Sequence, residues 1–229
     1  MTLTFSGGKA KGTIVPPPSK SHTHRAFLLA AMADGRSVIS NPLMSDDTIS
    51  TLECVRAMGV HVSVGDDVEV LGGNLEVPEG VVDVGNSGTT LRLFTTIAST
   101  LDGSVTLTGD ESIRNRPMGP LMWALESLGV THESRDGFPP ITVSGPNLGG
   151  EVSIDGGVSS QFISALMIAA PRAESTTSIR IVGNLLSRPY LDITHDLMSR
   201  FGAHVDVSDG IVRIETGGYA PHGYKVPAD

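Results

Sequence analysis

Three short stretches of this sequence resemble one another: MGVHVSV at 58–64, LGVTHES at 128–134 and FGAHVDV at 201–207. In each, a helix-like pattern runs into a glycine and a strand-like pattern begins. Gly59, Gly129 and Gly202 lie 70 and 73 residues apart, each placed as a helix-ending glycine should be. Ahead of them run three amphipathic stripes: Ile49, Leu52, Val55 and Met58; Met118, Leu121, Met122, Leu125 and Leu128; Tyr190, Ile193, Leu197 and Phe201. Further back in each copy is a run that is apolar nearly all round, at 26–33, 91–98 and 162–170. A helix without a polar face belongs in the interior. Short β-rich segments fill the gaps, including a hairpin pairing 60–64 with 68–71. A period of this kind constrains a fold more than any local propensity. It predicts an α/β lobe of three pseudo-symmetric β-α-β-α-β-β units, at about 15–72, 80–145 and 150–216, with the buried helices packed together and the sheets outside. Residues 1–14 and 219–229 fall outside the repeat.

Composition narrows the partners. The 229 residues are 39% hydrophobic, enough to bury a core without disulfides. The one cysteine, Cys54, lies in a helical pattern without a neighbouring cation, which reads as an inert core thiol. No signal peptide opens the chain, and no apolar run approaches the ~18 residues of a membrane span. The expectation is a soluble cytoplasmic protein. A net charge of −9 and 4% aromatics argue against a nucleic-acid face, so any anionic ligand has to be held by local cationic islands.

Such islands occur where the buried helices begin. The first start is Ser19-Lys20-Ser21, the second GNSGTTLR (85–92), the third GVSSQF (157–162). Serine and threonine are ordinary N-caps, and capping alone accounts for any one of these. Three in register, with Lys20, Arg25, Arg92 and Arg116 nearby, point instead to an anion site built from free N–H groups and helix dipoles. Gly88 leaves room for a ligand to approach the backbone. The acids of SDD (45–47) read as dipole pairing at a surface helix start. His22 and His24 are two apart on a helix and have no evident third partner, so no metal is expected. In RNRPMG (114–119) Pro117 reads as the first residue of a helix, and Arg116 as a carboxylate fork.

Together these motifs resemble the enolpyruvyl transferases, most closely the branch that acts on shikimate 3-phosphate. PPSKSHTHRAFLLAAMADG, GNSGTTLRL, RPMGPL, DGGVSSQFISALMIAAP and LSRPYLDIT carry the resemblance, from about residue 2 to 229. The chain departs from the pattern in Pro18 and in the His-x-His. The resemblance implies one lobe of an inside-out barrel. It implies a cofactor-free enzyme of aromatic amino acid biosynthesis, the glyphosate target, that joins phosphoenolpyruvate to the 5-hydroxyl of shikimate 3-phosphate. It assigns shikimate 3-phosphate to Lys20, Ser21, Arg25, Ser159, Ser160, Gln161, Ser187 and Tyr190. Phosphoenolpyruvate falls to Lys20, Asn86, Gly88, Arg116 and Gln161. It also implies a missing C-terminal lobe, carrying the main acid and base, with residues 1–14 as a strand near the crossover to that lobe and 219–229 as a crossover tail, and a full-length monomer. Of this chain's own groups only Lys20 is a candidate proton carrier, with Asp83 and Asp155 as remote ones. The rival readings are the sister transferase acting on UDP-N-acetylglucosamine, whose loop cysteine has no counterpart here, and a non-catalytic anion-binding module.

Overall fold

A computed structural model describes residue 4, residues 7–9 and residues 11–229. Part of the strand expected over 1–14 lies outside the described residues; those described there are exposed and in no strand.

The first unit comprises helix α1 (Lys20–Met32), strand β1 (Gly35–Ser40), helix α2 (Asp46–Ala57) and strands β2 (His61–Val64) and β3 (Val68–Gly72). The second has β4 (Val81–Asp83), α3 (Gly88–Ala98), β5 (Ser104–Thr108), the single turn α4 (Glu111–Arg114), α5 (Gly119–Ser127), β6 (Thr131–Arg135) and β7 (Phe138–Ser144). The third has β8 (Gly150–Asp155), α6 (Ser160–Ala169) running into a short 3₁₀ turn, β9 (Thr177–Val182), α7 (Arg188–Arg200), β10 (Val205–Ser208) and β11 (Ile211–Ile214). A last strand, β12 (Gly223–Lys225), follows.

Each unit owns a four-stranded sheet of one design. The second sheet runs β4-β5-β7-β6 and the third β8-β9-β11-β10, each with one parallel pair followed by two antiparallel ones. The first runs β12-β1-β3-β2. Its leading strand is therefore not local, as the repeat suggests, but comes from the other end of the chain. β12 lies parallel to β1, with Ile39 opposite Tyr224. Below it, the Ser19 N–H donates to Pro227 O at 2.8 Å, and the Asp229 N–H to Pro17 O at 3.0 Å.

Helices α1, α3 and α6 fill the interior because their sequences are apolar nearly all round. Ten of the thirteen residues of α1 are buried, as are eight of eleven in α3 and nine of ten in α6. Phe27, Phe94 and Phe162, one per unit, are at most 1% exposed; burying each contributes about 1.5–3 kcal/mol. The strands close over them by alternation, Val68 and Val70 facing in while Glu69 and Leu71 face out. Gly59, Gly129 and Gly202 have φ of +79°, +86° and +85°, the left-handed backbone that a helix-ending glycine supplies.

Three local expectations need correction. Ile49 is exposed, so the inward face of α2 is Leu52, Val55 and Met58. Tyr190 is also exposed, since it lies in the first turn of α7 beyond the core, and Leu191, Thr194, Leu197 and Met198 face inward instead. Pro117 does not open a helix. Met118, whose N–H is taken by Gly137 O at 2.8 Å, is the N-cap, and α5 begins at Gly119.

Candidate functional site: the gathered helix starts

The starts of α1, α2, α3 and α6 are tied together by side chains. From α1, the Lys20 ammonium stands 2.6 Å from an Asp47 carboxylate oxygen in the first turn of α2. His24 Nδ1 pairs with Thr51 Oγ1 at 2.6 Å, Thr51 Oγ1 with Thr90 Oγ1 at 2.7 Å, and Thr90 Oγ1 with Ser87 Oγ, the N-cap of α3, at 2.6 Å. Between α3 and α6, Arg92 Nη1 donates to Gln161 Oε1 at 2.6 Å, and Gln161 Nε2 donates to Thr89 Oγ1 at 3.2 Å. Residues from three units thus share one face. Several of the first N–H groups of each helix have no intrahelical acceptor, and the positive dipole ends favour an anion there.

The recess at the start of α6 has a volume of about 280 Å³ and is lined by Ser159, Ser160, Gln161, Ser187 and Tyr190, with Gly156 and Gly157. These five side chains are the α6 and α7 members of the expected shikimate 3-phosphate set. The Ser159 hydroxyl accepts from the Gln161 N–H at 3.2 Å. Ser21 lies one residue beyond Lys20 on α1 and is partly buried. A larger cavity of about 650 Å³ lies between α7 and the third sheet, and of the expected residues it holds none.

Arg25 lies deeper than an ordinary ligand contact. It is 2% exposed and spans three helices. Nε donates to Thr194 Oγ1 at 2.7 Å, Nη2 to Ser164 Oγ at 3.1 Å, and Nη1 to Ser21 O at 3.0 Å. Burial brings its pKa down to about 10, so it stays charged at neutral pH among neutral partners.

Of the residues expected to meet phosphoenolpyruvate, Asn86 donates through Nδ2 to Asp110, the N-cap of α4. The Ile113 N–H, then Asn86, hold that carboxyl below its usual range. Gly88 is the first residue of α3. Arg116 is exposed on the turn after α4. Burial, then the charge of Arg116, lower the pKa of Arg92. Among the described residues neither arginine has a carboxylate partner. A guanidinium whose charge is disfavoured by burial and by a second, unneutralised guanidinium suits an anionic ligand.

The remote acids are occupied by turns. Asp83 accepts from the Gly85 N–H and Asp155 from the Gly157 N–H, both at 2.8 Å. Cys54 is buried, its thiol pushed up to about 12 by desolvation. No cluster of three or more metal-ligating side chains occurs among the described residues, and no helix there is long and apolar enough to cross a membrane.

Sequence reasoning missed Asp47, which it read only as a dipole partner, and the C-terminal contacts of α1. The Ser19 hydroxyl donates to Asp229 at 3.0 Å and His22 Nδ1 pairs with Tyr224 Oη at 2.6 Å. Two acids in a first turn were visible in SDD; which of them faces α1 was not.

Residues 6–229 match the family EPSP synthase (3-phosphoshikimate 1-carboxyvinyltransferase). The 3-phosphoshikimate 1-carboxyvinyltransferase of Methanothermobacter thermautotrophicus is 49% identical over 234 residues, covering 100% of this chain and 56% of that protein. That of Methanocorpusculum labreanum is 47% identical over 215 residues, 92% of this chain and 51% of that one. Among solved structures, an EPSP synthase from Acinetobacter baumannii superposes with a TM-score of 0.85 at 27% identity, over 95% of this chain and 50% of that one. The chain spans about half the length of the curated relatives it matches. A sequence match along nearly its whole length and a shared three-sheet architecture lead to one conclusion: the chain belongs to the EPSP synthase family.

Proposed function

We propose that this chain binds shikimate 3-phosphate across its helix starts and forms half of a site for enolpyruvyl transfer. In the complete reaction, the 5-hydroxyl of shikimate 3-phosphate loses its proton and its oxygen bonds to C2 of phosphoenolpyruvate while a proton adds to the methylene carbon. Inorganic phosphate then leaves C2 and the resulting methyl carbon gives up a proton, restoring the C=C bond of the enolpyruvyl ether. The supporting observation is the α6 recess, where Ser159, Ser160 and Ser187 gather three hydroxyls beside a helix N-terminus. That chemistry fits a phosphate. Gln161 and Tyr190 lie along the ring, and Lys20, Ser21 and Arg25 bring cationic and hydroxyl contacts from α1. Phosphoenolpyruvate takes the neighbouring ground of Lys20, Asn86, Gly88, Arg116 and Gln161.

The acid and base belong to the further length that the relatives have. Lys20 is this chain's candidate proton carrier, and the remote candidates Asp83 and Asp155 are engaged by backbone donors. Half of a closed site should bind at roughly micromolar to millimolar Kd. Calorimetry of the 229-residue chain with shikimate 3-phosphate, shikimate and UDP-N-acetylglucosamine tests the reading. Saturable binding that disappears with the phosphate is expected. Binding of the UDP sugar in its place would move the chain to the sister reaction, and no saturable binding of any of the three would overturn the assignment.

A further inference from the structure

We infer that Asp47 is a positioning residue for Lys20, holding its ammonium over the helix starts with two N–H donors left for an incoming phosphate or carboxylate. The inference rests on the reading of Lys20 as an anion contact given above. A lysine loses more rotamer freedom on being fixed than almost any other side chain, and the Lys20 side chain is 50% exposed, with its ammonium held by Asp47 at 2.6 Å. An ammonium has three donors and no acceptor, so one bond to Asp47 leaves two for a ligand.

Asp47 is itself well anchored. It lies in the first turn of α2, where the dipole offsets its charge, behind a reciprocal Ser45–Thr48 capping box. The Thr51 and Thr90 hydroxyls, bonded to each other at 2.7 Å, each lie 3.4 Å from its backbone carbonyl, which accepts from one of the two. The anchor is therefore tied to α3 through main-chain atoms that a side-chain substitution leaves in place. Asp46, the other acid of this turn, is exposed and has no ion-pair partner among the described residues. One acid serves the helix and the other serves Lys20.

The opposite sign is physically possible, since a carboxylate beside a cation also competes with an anionic ligand, and the experiment separates the two. Calorimetry with shikimate 3-phosphate is run on the wild-type chain and on Asp47→Ala, Asp47→Asn, Asp47→Glu, Lys20→Ala and the Asp47→Ala/Lys20→Ala double variant. Loss of the anchor should raise Kd about three- to tenfold, Asp47→Glu should recover to within about twofold, and Asp47→Ala should add nothing once Lys20 is gone. An equal loss in the Lys20→Ala background, or tighter binding by Asp47→Asn, overturns the inference. Absence of binding by the wild type would instead overturn the functional reading. In that case, or where Lys20→Ala binds too weakly to measure, the Lys20 Nζ resonance decides. Slowly exchanging ammonium protons that vanish in Asp47→Asn support the anchor, and unchanged spectra refute it.

Discussion

His24 sits on α1 with 0% exposure, Nδ1 bonded to Thr51 and Nε2 without a partner among the described residues. Desolvation is the main reason its pKa falls to about 3; Asp47 opposes that shift, and Lys20 and Arg25 add to it. In the unfolded chain the same imidazole titrates near 6.5. Between these values the unfolded state takes up a proton that the folded state refuses. Stability is therefore fully present above pH 6.5 and falls as pH drops toward 3, by up to about 1.4 kcal/mol per pH unit. From pH 7.5 to pH 5 the loss through this one residue is about 2 kcal/mol. Urea denaturation followed by circular dichroism at both pH values, on the wild type and His24→Asn, measures it. The substitution should cost about 1–3 kcal/mol at pH 7.5, through lost packing and a weakened hydrogen bond. Its loss between pH 7.5 and 5 should nevertheless be about 2 kcal/mol smaller than that of the wild type. The other histidines are common to both proteins and cancel in the difference. Equal losses would refute the argument and show that the lobe admits water or a charge to His24.

Gly88→Ala places a Cβ 3.2 Å from Arg92 Nη1 and 4.0 Å from Ile113 Cδ1, against the end of a flexible side chain. The melting temperature should hold, while in a protein of the relatives' full length the KM for phosphoenolpyruvate rises and glyphosate inhibits less. A lowered melting temperature with unchanged KM would make Gly88 a backbone requirement only. Arg25→Ala strips Thr194 and Ser164 of their charged partner; urea titration should show a loss of about 2–4 kcal/mol, and calorimetry weaker shikimate 3-phosphate binding. Unchanged affinity would leave Arg25 as a purely structural clamp. The 229-residue chain alone should release no phosphate above buffer in a coupled assay, because general acid–base catalysis contributes typically ~10²–10⁴-fold and Asp47, Asp83, Asp110 and Asp155 are already engaged. Activity should appear when the other half of the relatives' length is supplied, and turnover without it would send the search for a base back to Asp155.

Much of the lobe was legible because its determinants are local. Three glycine stops, three helices apolar nearly all round and alternating strands each write their structure within a few residues of themselves. The hydroxyl-rich helix starts were readable for the same reason, since a cap and an anion seat use the same residue types at the same position. What the tertiary structure alone decided involves groups far apart in the chain, between which no short-range pattern exists. β12 supplies the parallel strand that the first unit lacks, so residues 223–225 complete a sheet begun at residue 35. Lys20 and Asp47 meet across 27 residues, and Arg25 and Thr194 across 169. Ile49 and Tyr190 fit their helical stripes by spacing and yet face solvent, because periodicity names a face of a helix and only the neighbouring elements determine how much of that face is covered.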